Sequence, residues 1–128
     1  MGSHVENFDT PILIIFWRRP ESVLKLISRL RPLRPGYLFL ACDGPRDGNE
    51  EERSRVSESR QQVEEAIDWS CCIEKRYSDN NQGCKYGPAN AISWFFSRVE
   101  EGIILEDDCL PDRSFFPFCR DLLERDRK

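Results

Sequence analysis

Three adjacent carboxylates, Glu106-Asp107-Asp108, follow directly on the apolar run Gly102-Ile103-Ile104-Leu105. Such neighbours repel one another, and nothing in the adjacent sequence neutralises them. A hard divalent cation, Mg2+ or Mn2+, would do so, because it accepts carboxylate oxygens together with water and substrate phosphate oxygens. A solvated acidic turn is the other reading of the same residues. Asp107 and Asp108 are therefore candidate metal ligands. Arg19, just ahead of Pro20, can pair with a phosphate oxygen or a nucleotide carbonyl. Asp43, at the turn Asp43-Gly44-Pro45, either accepts a hydrogen bond from a base N–H or caps its own turn. Lys85, in a glycine-flanked stretch, either reaches a phosphate as a point charge or stands on the surface.

The absences limit the chemistry as much. His4 is the only histidine, and it lies in Met1-Gly2-Ser3-His4, which is expected to be a cloning remnant (residues 1–4) ahead of a single domain, 5–128. Ser-His-Asp and Cys-His nucleophiles and histidine-based zinc sites thus have no imidazole. A net charge of −4, from 19 basic and 23 acidic side chains, argues against a nucleic-acid binder. The six cysteines include no Cys-x-x-Cys pair, and with no secretion signal they are expected to be reduced, mostly packed, and cytoplasmic. The longest uncharged apolar run, Pro11 to Trp17, is too short to span a bilayer.

The elements that must position these residues alternate. Ile12 to Trp17, Tyr37 to Cys42, Cys71 to Tyr77 and Gly102 to Leu105 read as strands, the third weaker and nearer a sheet edge. Between them run helical stretches. One opens at Pro20 with a stripe at Val23, Leu26, Ile27 and Leu30. A second lies within Asn49 to Asp68, with Val56, Val63 and Ile67 buried and its many charges solvated. A third is expected to start at Pro88, after a polar loop from Ser78 to Gly87, and to turn Ala89, Ile92, Phe95, Phe96 and Val99 inward. A last segment, Ser114 to Arg125, would bury Phe115, Phe118 and Leu122. Strand–helix alternation predicts an α/β, Rossmann-like, mostly parallel sheet with helices on both faces. In such a sheet ligands bind beyond the carboxyl ends of the strands. Arg19, Asp43, the 78–85 loop and Glu106-Asp107-Asp108 all fall there.

Taken together, these residues resemble a family. Phe16-Trp17-Arg18-Arg19-Pro20 is similar to the Tyr-Asn-Arg-Pro end of the first strand in GT-A-fold nucleotide-diphospho-sugar glycosyltransferases, and Cys42-Asp43-Gly44 to their second-strand Asp. Asn81-Gln82-Gly83 with Ala89-Asn90 resembles the Asn-x-Gly and Ala-x-Asn stretch of glycosyltransferase family two. Ile103 to Asp108 resembles the strand ending in the Asp-x-Asp metal motif, in the Glu-Asp-Asp form of N-acetylglucosaminyltransferase I, and Asp112 with Phe115-Phe116 its continuation. The resemblance runs from about Thr10 to Leu123 and implies a GT-A-like fold and metal-dependent binding of a nucleotide-diphospho-sugar. In that reading Asp108 ligates the Mn2+ or Mg2+ and Asp107 lies beside it or near the ribose. Asp43 reads the base, and Arg19 and Lys85 contact the nucleotide. The implied parent reaction is glycosyl transfer to a hydroxyl acceptor. Arg18 stands where the family has Asn, and the chain ends soon after the acidic triplet. It is thus expected to be a truncated, N-terminal donor-binding half, inactive alone, with the general base beyond Lys128. A non-catalytic interaction domain of the same fold and a receiver-like α/β switch remain alternatives. The latter would want its acidic pair after the first strand, where Arg18-Arg19 stands.

Overall fold

A computed structural model describes residues 8–111 and 114–126; His4 and Asp112 lie outside them. Four strands form one sheet: β1 (Ile12–Phe16), β2 (Tyr37–Cys42), β3 (Cys72–Tyr77) and β4 (Ile103–Glu106). Every pairing is parallel, and the order is β3-β2-β1-β4. The helices are α1 (Pro20–Leu30), α2 (Glu50–Ala66), α3 (Gly83–Arg98) and α4 (Phe115–Asp126), with a 3-10 turn at Arg31–Leu33. The α/β architecture expected from the sequence is therefore present, with a wholly parallel sheet.

The chain steps from β1 to β2 to β3 in one direction, then returns to the far side of β1 for β4. Right-handed crossovers place helices on opposite faces when that direction reverses, and the packing follows. Ile12, Ile14, Phe16, Leu38, Leu40 and Cys42 pack with Val23, Leu26 and Ile27 of α1 and Val56 and Val63 of α2. Phe116 of α4 joins this layer edge-on to Phe8, centroids 5.9 Å apart. The alternate residues Leu13, Phe39 and Ala41 meet Ala91 and Phe95 of α3 on the other face. Strand β3 is an edge strand, its Cys72–Lys75 stretch exposed and carrying Glu74 and Lys75, which discourages pairing with another chain.

Several expectations change in detail. Helix α3 starts at Gly83, five residues before Pro88, which sits inside it. Its buried stripe is Ala91 and Phe95, while Ala89 and Phe96 face solvent. Phe95 meets Phe39 edge to face with centroids 5.0 Å apart, on the same face of the sheet as Ala91. On α4 the buried aromatic is Phe116, while Phe118 and Leu122 are exposed. All six cysteines are unpaired, but only Cys42 is fully buried; Cys72, Cys84 and Cys109 are exposed. Among the described residues no helix is long and apolar enough to cross a membrane.

Candidate functional site

A crevice of about 520 Å3 opens at the carboxyl ends of the strands. The end of β1 contributes Phe16, Trp17, Arg18 and Arg19, and β2 contributes Ala41, Cys42 and Asp43. Arg76 and Ser78 come from the end of β3, and Glu106 and Asp107 from β4. One wall is the start of α3, where Gly83, Cys84, Gly87 and Ala91 are all small and leave the space open. This is the region of a parallel sheet where the strand order reverses, the usual place for a ligand.

Asp43 explains why α3 begins early. Its Oδ1 accepts the N–H groups of Gly44 and Gln82, both at 2.8 Å. Its Oδ2 accepts the Gly83 N–H at 3.0 Å and Asn81 Nδ2 at 3.3 Å. A helix start leaves backbone donors without partners inside the helix, and here a carboxylate from another strand satisfies them. With that cap in place, the helix starts ahead of Pro88, whose missing N–H would otherwise favour the first turn. Gly44 makes the approach possible, since a Cβ there would lie 2.7 Å from the backbone of Asp79 and Asn80. Gly83 takes φ +91, a conformation that suits glycine. A carboxylate offers about four acceptor positions, and Asp43 has four donors. It lines the crevice as a strut between β2 and α3, with no oxygen left to read a base. Of its two expected roles, these bonds form the turn cap, extended to the start of α3.

The charged run of α2 also needs correction, because Glu52 is only 3% exposed. Its carboxylate takes Arg46 Nη2 at 2.7 Å, the Arg46 N–H at 2.8 Å and Arg18 Nη1 at 3.0 Å. Both guanidiniums also lie over the Trp17 ring, 4.8 Å and 5.7 Å from its centroid. The hydrogen bonds from Arg46 hold the Glu52 carboxyl down to about 2 against an ordinary 4.5, despite the opposing effect of burial. A depressed acid stabilises the fold fully above its unfolded pKa, and the contribution disappears as pH falls through the folded value. Stability should therefore decline between about pH 4.5 and pH 2. Glu52→Gln should flatten that part of a urea-denaturation pH profile; a mutant profile parallel to wild type would remove Glu52 from the account.

Arg60, also on α2, binds the sheet ends together. Its Nη2 donates to the carbonyls of Ser78 at 2.8 Å and Asp43 at 3.1 Å, and its guanidinium stacks on Tyr77. Burial pushes the Cys42 thiol up to about 11, so this crevice cysteine stays protonated at neutral pH and is a poor nucleophile.

Asp107 faces the crevice, half-buried, in the turn after β4. Burial raises its carboxyl above the ordinary value, and the charges of Asp108 and Glu106 add to this, with Arg19 opposing. Arg19 and Asp107 thus line the same crevice, Arg19 from the end of β1 and Asp107 from the turn after β4. Asp108 is exposed and does not line the crevice. Lys85 sits exposed on the first turn of α3, 5.6 Å from the Tyr86 ring centroid, and does not line it either. Among the described residues no three His, Cys, Asp or Glu side chains converge as a metal cage. The donor set fits a cation that takes one or two carboxylates and completes its shell with water and phosphate oxygens, as Mg2+ does.

Sequence reasoning missed Trp17, Arg46, Glu52, Arg60 and Arg76. Glu52 carried a signal: positions 52, 56, 59 and 63 form one helical row, and three of them are Val or Ser. No family model, curated protein or solved structure matches the chain.

Proposed function

We propose that the crevice binds a nucleoside-diphospho-sugar through a divalent cation, and that the parent chemistry is glycosyl transfer to a hydroxyl acceptor. The presence of Arg19 and Asp107 in one crevice at the switch point of a parallel sheet carries this reading. Asp107 is a carboxylate whose charge burial disfavours and which a cation would stabilise. Asp108, next to it and exposed, completes the acidic pair. Arg19 balances the opposite side of a diphosphate. When bound, the cation would act as a Lewis acid on the departing diphosphate. Six unpaired thiols favour a reducing, cytoplasmic setting.

Calorimetric titration of GDP and UDP in Mn2+ and in EDTA tests the proposal. Binding should appear with the metal and collapse with EDTA; no heat in either condition would refute it.

A further inference from the structure

Four arginines line the crevice, and they are not equivalent. Arg18 and Arg46 are held by Glu52, and Arg19 stands near Asp107. Arg76, at the end of β3 and half-buried, has no hydrogen bond, ion pair or ring contact among the described residues. Its guanidinium nitrogens stay open to the crevice and are available to a ligand that brings its own acceptors.

We infer that Arg76 is a specificity-determining residue that reads the edge of the nucleobase and selects a base with two adjacent acceptors. The inference rests on the nucleoside-diphosphate reading above. That reading places the diphosphate and cation at the end of β4. Strand β3 is three positions away across the sheet, about 14 Å at the usual spacing. The diphosphate joins two ends, the nucleoside and the sugar, and the planar fork of Arg76 matches the flat edge of the base. Asp43, the acid beside this end of the crevice, already has four donors and cannot accept a ring N–H. The base pocket is thus rich in donors. A guanidinium presents two parallel N–H groups in a planar fork. Guanine matches it with O6 and N7, and cytosine with O2 and N3. Uracil separates its two carbonyls by an N–H, and adenine places an amino group beside N7, so neither offers the fork two neighbouring acceptors.

Calorimetry with GDP, CDP, UDP and ADP, all in Mn2+, on wild type, Arg76→Lys and Arg76→Gln tests this. Wild type should prefer GDP or CDP over UDP and ADP by about tenfold or more. Arg76→Lys keeps the charge and loses the fork, so all four should bind it within about threefold of one another. Which of GDP and CDP binds tighter identifies the base. A preference that survives in Arg76→Lys, or equal binding of all four to wild type, overturns the role of Arg76 and leaves the nucleotide reading intact. No binding of any nucleotide overturns both.

Discussion

Asp43→Ala should destabilise the fold by about 3 kcal/mol, since each buried donor left unpaired costs roughly 1–3 kcal/mol. The substitution strands the N–H groups of Gly44, Gln82 and Gly83, whereas the Asn81 amide keeps its bond to the Gly44 carbonyl at 2.9 Å. The figure is set near the low end of that sum because the group is only half-buried and water can replace part of the lost bonding. The urea midpoint should fall with an unchanged slope, because the surface exposed on unfolding is the same. Asp43→Asn keeps one acceptor oxygen and should lose about half as much. If Asp43→Ala lay within about 0.5 kcal/mol of wild type, as ordinary surface substitutions do, the strut would carry no weight.

Removing the cation should lower nucleoside-diphosphate affinity by about 100-fold, because juxtaposed like charges cost several kcal/mol and each 1.4 kcal/mol is tenfold. Without metal the diphosphate approaches Asp107, Asp108 and Glu106, and Arg19 offsets only part of that repulsion. Asp107→Asn should weaken Mn2+-dependent binding while raising stability at neutral pH. The sign follows from the raised pKa: above it, the ionised carboxylate costs the fold, and the cost vanishes as pH falls through it. Higher Tm with lost binding separates this outcome from misfolding. A variant that binds as wild type does, with equal EDTA sensitivity, would take Asp107 out of the site.

The parallel sheet was legible because its strands are short apolar runs bounded by Pro, Gly and charge, and buried strands of this kind carry their signal locally. That Arg19 and Asp107 lie at the carboxyl ends of strands was legible for the same reason, being fixed by where the strands end. The start of α3 was not. Its determinant is Asp43, some forty residues earlier in the chain, and Pro88 offered a strong but misleading local signal. Glu52 was hidden by its neighbours, since a lone buried acid in a run of Glu and Arg is visible only through helical phase. Lys85 followed α3 once that helix began early, and turned away from the crevice. Side-chain pairings such as Arg46 with Glu52 depend on loop geometry that composition does not encode.

The central claim is that a cation and a nucleotide share the crevice beside Asp107. Paramagnetic relaxation by Mn2+, added with GDP to isotopically labelled protein, locates the metal directly. The account predicts broadening centred on the amides of residues 106–108, extending to 15–19 at the end of β1, with the 63–66 end of α2 and the amino end of β2 least affected. Broadening centred elsewhere, or unchanged when Asp107 and Asp108 are both replaced by asparagine, would contradict it.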